Sequence, residues 1–85
     1  MRKLIHSVFK NYFRCHLLKA RGSDTQENMA RTFNMSVRAY AALETGESCC
    51  SLTTLLIFLR NFCPDRNAFF EEFFTELERA EKEAA

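Results

Sequence analysis

Between Thr25 and Gly46 the chain reads TQENMARTFNMSVRAYAALETG, an order of small, polar and apolar residues that suits two short helices crossing at a tight turn and little else. Asp24 or Thr25 caps the first of these helices, and Glu27 favours the positive end of its macrodipole. Met29, Ala30 and Phe33 recur at helical spacing, which makes one apolar face from a long, a very small and a large side chain. Ala30 carries the constraint, since its near-absent side chain lets a second helix come close. Asn34 follows where the chain must turn sharply, and Asn tolerates the left-handed conformation better than most residues. Ser36 then caps a second helix. In it Val37, Tyr40 and Leu43, or Val37, Tyr40 and Ala41, face inward while Arg38, Ala39 and Ala42 face out, and Gly46 supplies the stop.

Helices frame this pair on both sides. Leu4 or Ile5, Val8, Phe9, Tyr12, Phe13 and Leu17 predict one long amphipathic helix over residues 2–20, ended near Gly22. Its first dozen residues carry an apolar stripe that either wraps the core or meets a second chain. Ser51 starts a fourth helix with a buried stripe of Leu52, Leu55, Leu56, Leu59 and Phe62, stopped by Pro64. Asp65 or Asn67 opens a fifth. There Phe69, Phe70, Phe73, Phe74 and Leu77 make an apolar surface wider than a small domain needs, either extra core or a dimer contact through the four Phe. The tail 78–85 is polar, helix-favouring and expected to fray. Eighty-five residues hold one domain. Nine Phe with only two Gly and one Pro fit an all-α, compact five-helix bundle and argue against hairpins.

The run resembles the phage repressor and Cro-type (Xre-like) helix-turn-helix family. The matching positions are Thr25, Gln26, Ala30, Asn34, Ser36, Tyr40, Leu43, Glu44 and Gly46, continued by Ser51, Leu52, Thr54 and Leu55. The likeness covers about residues 13–74 in one gapless register, leaving 1–12 as an N-terminal helix extension. Asn34 stands at the usual turn glycine, Cys50 at a frequent proline, Tyr40 at the usual Ile, and Gly22-Ser23-Asp24 lengthens the first loop. The resemblance implies a lambda-repressor-like bundle and sequence-specific binding of double-stranded DNA by a small transcriptional regulator, with a recognition helix at about 36–43 in the major groove. By position it assigns base reading to Val37, Arg38 and Ala42, and phosphate contact to Gln26 and Ser36. Arg38 is the side chain there able to contact guanine O6 and N7 together, whereas Val37, Ala39 and Ala42 offer only apolar contact to thymine methyls. Arg14, Lys19, Arg21 and Arg31 are further phosphate candidates or plain solvated charges. A module this small implies a homodimer on a two-fold symmetric operator.

The charge distribution agrees with that assignment. Residues 1–45 hold eight basic against three acidic side chains, a balance of +5, and residues 46–85 hold four against eight, a balance of −4. The half expected to read DNA is the basic half. Alanines 39, 41 and 42 also suit a rival function, a helix-turn-helix-derived protein-interaction module that has lost base reading. Enzymatic chemistry has no motif to rest on, neither a His and acid cluster nor a phosphate-cradling glycine loop. Cys15, Cys49, Cys50 and Cys63 match no common zinc spacing, so no metal, cofactor or small-molecule ligand is expected. Polar residues interrupt the first fifteen, and the longest apolar run, Leu55–Leu59, is far too short to span a bilayer. A cytoplasmic location with reduced thiols is the expectation.

Overall fold

The computed structural model describes residues 1–84, so of the polar tail residue 85 lies outside the described residues. Five α-helices follow in order: α1 (Arg2–Arg21), α2 (Gln26–Thr32), α3 (Val37–Thr45), α4 (Leu52–Phe62) and α5 (Arg66–Ala84). Among the described residues no strand forms, and no helix is long and apolar enough to cross a membrane.

The helix starts follow the polar residues that precede them. Thr25 Oγ1 accepts from Asn28 N at 3.1 Å, Ser36 Oγ from Ala39 N at 3.0 Å, Ser51 Oγ from Thr54 N at 3.1 Å, and Asp65 Oδ1 from Ala68 N at 3.0 Å. Each bond satisfies a donor that the first turn leaves open. The α2 to α3 turn is closed from the other side. Asn34 adopts φ 54°, which lets Met35 N donate to Ala30 O at 3.0 Å and Asn34 N to Arg31 O at 3.1 Å. That pair of reverse bonds is a Schellman ending with Asn in the left-handed place. Gly46 ends α3 at φ 82°.

Antiparallel packing of α1 on α5 forms one side of the molecule, in which Phe9 meets Phe73 edge-on at 5.3 Å and Tyr12 meets Phe69 at 5.2 Å. The Tyr12 hydroxyl donates to the Phe69 carbonyl at 2.6 Å and pins the two helices in register. Of the N-terminal extension Phe9 and Tyr12 pack on the core, whereas Met1 and Ile5 are exposed. Phe58 of α4 joins Phe13 and Phe69 at 5.2 and 5.9 Å, and α2 and α3 close the other side through Met29, Ala30, Phe33, Tyr40 and Leu43.

Two expected faces are corrected. Of the expected α4 stripe Leu59 is buried and Leu55 and Phe62 pack half-buried on the core, but Leu52 and Leu56 are 71% and 56% exposed, and Thr54 and Phe58 are buried in their place. The helix is apolar almost all round, and filling the space between Phe13 and Phe69 with the Phe58 ring rolls Leu52 and Leu56 outward. In α5, Phe69 and Phe73 are buried against α1 and are not available to a second chain, whereas Phe70 and Phe74 are 39% and 53% exposed.

Candidate nucleic-acid interface

The α3 helix sits across α2 with its second half sunk into the molecule and its first turn projecting. Tyr40, Leu43 and Glu44 are buried, Ala41 and Ala42 are half-buried, and Ser36, Val37, Arg38 and Ala39 are exposed. Val37 thus does not face the core: Met35, from the turn, packs there instead, and Tyr40 stacks on Phe33 at 6.0 Å and fixes the roll of the helix. Arg38 stands on this turn with no hydrogen-bond or ionic partner among the described residues.

A buried carboxylate anchors the helix from below. Glu44 Oε2 accepts from Arg21 Nε at 2.6 Å and Oε1 from Arg21 Nη2 at 3.1 Å, a two-point contact from the end of α1. Gln26, first residue of α2, donates its Nε2 to Oε1 at 2.9 Å. Three helices therefore meet on one acid. Burial alone would raise the Glu44 pKa, but the hydrogen bonds outweigh it and hold the carboxyl below its ordinary value. The Tyr40 hydroxyl lies buried close by without a hydrogen-bond partner among the described residues, and burial pushes its pKa up.

Arg14 serves the same C-terminal end of α3. Its Nε donates to the Glu44 carbonyl at 3.0 Å and its Nη1 to Asn11 Oδ1 at 3.2 Å, so a cation closes the negative helix terminus. Gly46 holds φ 82°, a left-handed backbone that strains any side chain, while an added Cβ would meet Arg14 Cδ at 3.4 Å, an ordinary contact.

The nine expected DNA contacts accordingly fall into two groups. Val37, Arg38, Ser36, Arg31 and Lys19 are exposed; Ser36 spends its hydroxyl oxygen on the α3 cap, and Arg31 reaches Asn28 Oδ1 at 3.5 Å. Arg14, Arg21 and Gln26 are half-buried and engaged by α3, and Ala42 is half-buried. Glu44, matched above only by position, is the residue whose role sequence reasoning missed. Its spacing of four from Tyr40 places it on the inward face of α3, and an acid there, with Arg21 and Gln26 ahead in the chain, was the available signal. No family model, curated protein or solved structure matches this chain.

Proposed function

We propose that this protein is a cytoplasmic, sequence-specific DNA-binding regulator of the repressor kind, and that α2, the Asn34 turn and α3 are its helix-turn-helix within a lambda-repressor-like bundle. One observation carries the reading: the first turn of α3 projects with an Arg38 that has no partner among the described residues, while Glu44, Arg21 and Gln26 lock the rest of that helix to α1 and α2. A base-reading helix needs that combination, since a guanidinium discriminates only when its backbone is held in place. Arg38 reads guanine, Val37 and Ala42 border the bases, and Ser36, Arg31 and Lys19 meet phosphates. Arg14, Arg21 and Gln26 act through α3, as positioning residues. Two copies on half-sites about 34–36 Å apart give the affinity that one module lacks.

Selection from a randomised duplex pool at near-physiological salt, where non-specific binding is weak, tests this directly. A two-fold symmetric motif with a guanine fixed in each half is expected. Arg38→Ala should then flatten the preference at that position by about 1–3 kcal/mol and leave non-specific binding largely intact. A folded protein that enriches no sequence overturns the proposal. It would favour the second reading, a protein-interaction module, for which exposed Ala39 and half-buried Ala41 and Ala42 are the supporting observation, since methyl groups offer base edges no hydrogen bonds.

A further inference from the structure

An open groove of about 680 Å³ lies where the first turns of α1 meet Phe73 of α5 and Cys49 of the link between α3 and α4. Its volume is that of a small-molecule site, about 300–1,000 Å³. The α1 wall is one stripe of that helix, Arg2, Ile5, His6 and Phe9, at positions i, i+3, i+4 and i+7. Along this stripe the character changes from charged to apolar. Arg2 and Lys3 form the cationic end, Ile5 follows at 39% exposure, and Phe9 in edge-on contact with Phe73 forms the apolar end. No acidic side chain lines the groove. Arg2 and Lys3 are exposed and have no hydrogen-bond or ionic partner among the described residues. Nor does an acid in the first turn of α1 offset the positive end of the helix on which they stand.

We propose that this groove binds a medium-chain fatty acid, its carboxylate at Arg2 and Lys3 and its alkyl tail laid over Ile5 onto Phe9 and Phe73. Charge selects the head, because the groove offers two free cations and no anion to repel a carboxylate. Shape selects the tail. From Arg2 to Phe9 the helix advances about 10 Å, which suits a chain of medium length, and each methylene that enters the groove leaves water. An inorganic anion would use the cationic end alone, and a neutral hydrocarbon the apolar end alone. An acidic peptide would lay polar backbone groups on Ile5, Phe9 and Phe73, which have nothing to hydrogen-bond them. A single amphiphile with one anionic head satisfies both ends.

This binding requires no DNA, so it stands or falls separately from the function proposed above. The experiment is a titration of the full chain with sodium decanoate, below its micellar concentration and at neutral pH, read by backbone amide shifts in NMR. Saturable shifts centred on Ile5, His6, Phe9 and Cys49 are expected, with a dissociation constant of about 0.1–1 mM for a ligand of this size. Decanol, which keeps the tail, and acetate, which keeps the head, should each bind at least about tenfold more weakly. Arg2→Glu should weaken decanoate by about tenfold. An acid in the first turn of α1 stabilises that helix, so lost folding cannot account for the effect. Ile5→Asp should abolish binding while circular dichroism stays helical. Arg60→Glu makes the same change in net charge outside the groove and should leave the affinity unchanged. Shifts that are absent or spread evenly over the surface overturn the proposal, as does decanol binding as tightly as decanoate or Arg60→Glu acting as strongly as Arg2→Glu. A chain that ignores decanoate yet cosediments with vesicles of phosphatidylglycerol and phosphatidylcholine overturns it as well, and assigns these residues to a membrane surface.

Discussion

Glu44 concentrates the chemistry of this molecule at one side chain. Its carboxylate is 5% exposed and is satisfied only because Arg21 and Gln26 reach it from two other helices. Glu44→Ala is expected to cost about 2 kcal/mol through loss of charge-assisted hydrogen bonds, measured by urea unfolding at neutral pH. The pH dependence follows from the direction of its shift. A carboxyl with a lowered folded pKa stabilises fully above the ordinary carboxylate range, and that contribution disappears as pH falls through the folded value. His16 adds an earlier step. It is half-buried against Tyr12, Phe58 and Phe69, and burial, helped by Lys19 and opposed by Glu72, lowers its pKa. A neutral buried imidazole stabilises above the ordinary histidine range, and this contribution too is lost as pH falls. Stability should therefore drop in two acid stages. His16→Phe should remove the upper stage and Glu44→Ala should reduce the lower, to which Asp24 also contributes because hydrogen bonds from Asn28 and Thr25 lower its pKa, and variants with the same pH profile as the parent would remove His16 and Glu44 from the account.

At the scale of elements, α4 separates what periodicity can settle from what it cannot. The segment Leu52–Phe62 offers helical apolar spacing on more than one side, and the stripe through Leu52, Leu55, Leu56, Leu59 and Phe62 is as regular as the one through Thr54, Phe58 and Phe62. The choice belongs to the neighbours: the Phe58 ring fits against Phe13 and Phe69, and Leu56 does not enter. Phe58→Ala should accordingly cost about 3–5 kcal/mol, and Leu56→Lys should change stability by no more than about 0.5 kcal/mol, both read from denaturant midpoints. Equal losses would restore the other stripe. The starts and stops of these elements needed no such arbitration. Thr25, Ser36, Ser51 and Asp65 cap the helices that the sequence places after them, Asn34 turns left-handed where a turn is required, and Gly46 ends α3. Of the candidate interface, the projecting Arg38 was legible in the same way, because Ser36 sets the first turn of α3. The inward turn of Arg14, Arg21 and Gln26 was not, because their partners lie eighteen to thirty residues away in the chain.

Across the whole molecule, the long α1 and α5 pair gives the body its 40 Å length against 26 and 23 Å in the other directions. The short helices α2 and α3 are held against it. The Tyr12 hydroxyl bond to the Phe69 carbonyl is the polar tie in that pair, and Tyr12→Phe should cost about 1 kcal/mol while leaving the helix content unchanged; a calorimetric midpoint equal to that of the parent would mean that solvent replaces the bond. Charge divides along the same lines. The basic residues gather on α1 to α3 and the acidic ones on α5, the helix that also carries the exposed Phe70 and Phe74.

The sequence by itself determined the helices, their caps and the turn between α2 and α3, because each of these depends on side chains within a few residues of the backbone they satisfy. It also determined that the interior would be aromatic. Tertiary structure alone decided how each helix is rolled about its axis: that Val37 projects, that Leu52 and Leu56 face solvent, that Phe69 and Phe73 are core while Phe70 and Phe74 are surface, and that Arg21 belongs to Glu44. Roll is set by the fit of large side chains from distant segments, and where a helix is apolar on several sides or a cation lies near two anions, spacing within the helix leaves that fit open.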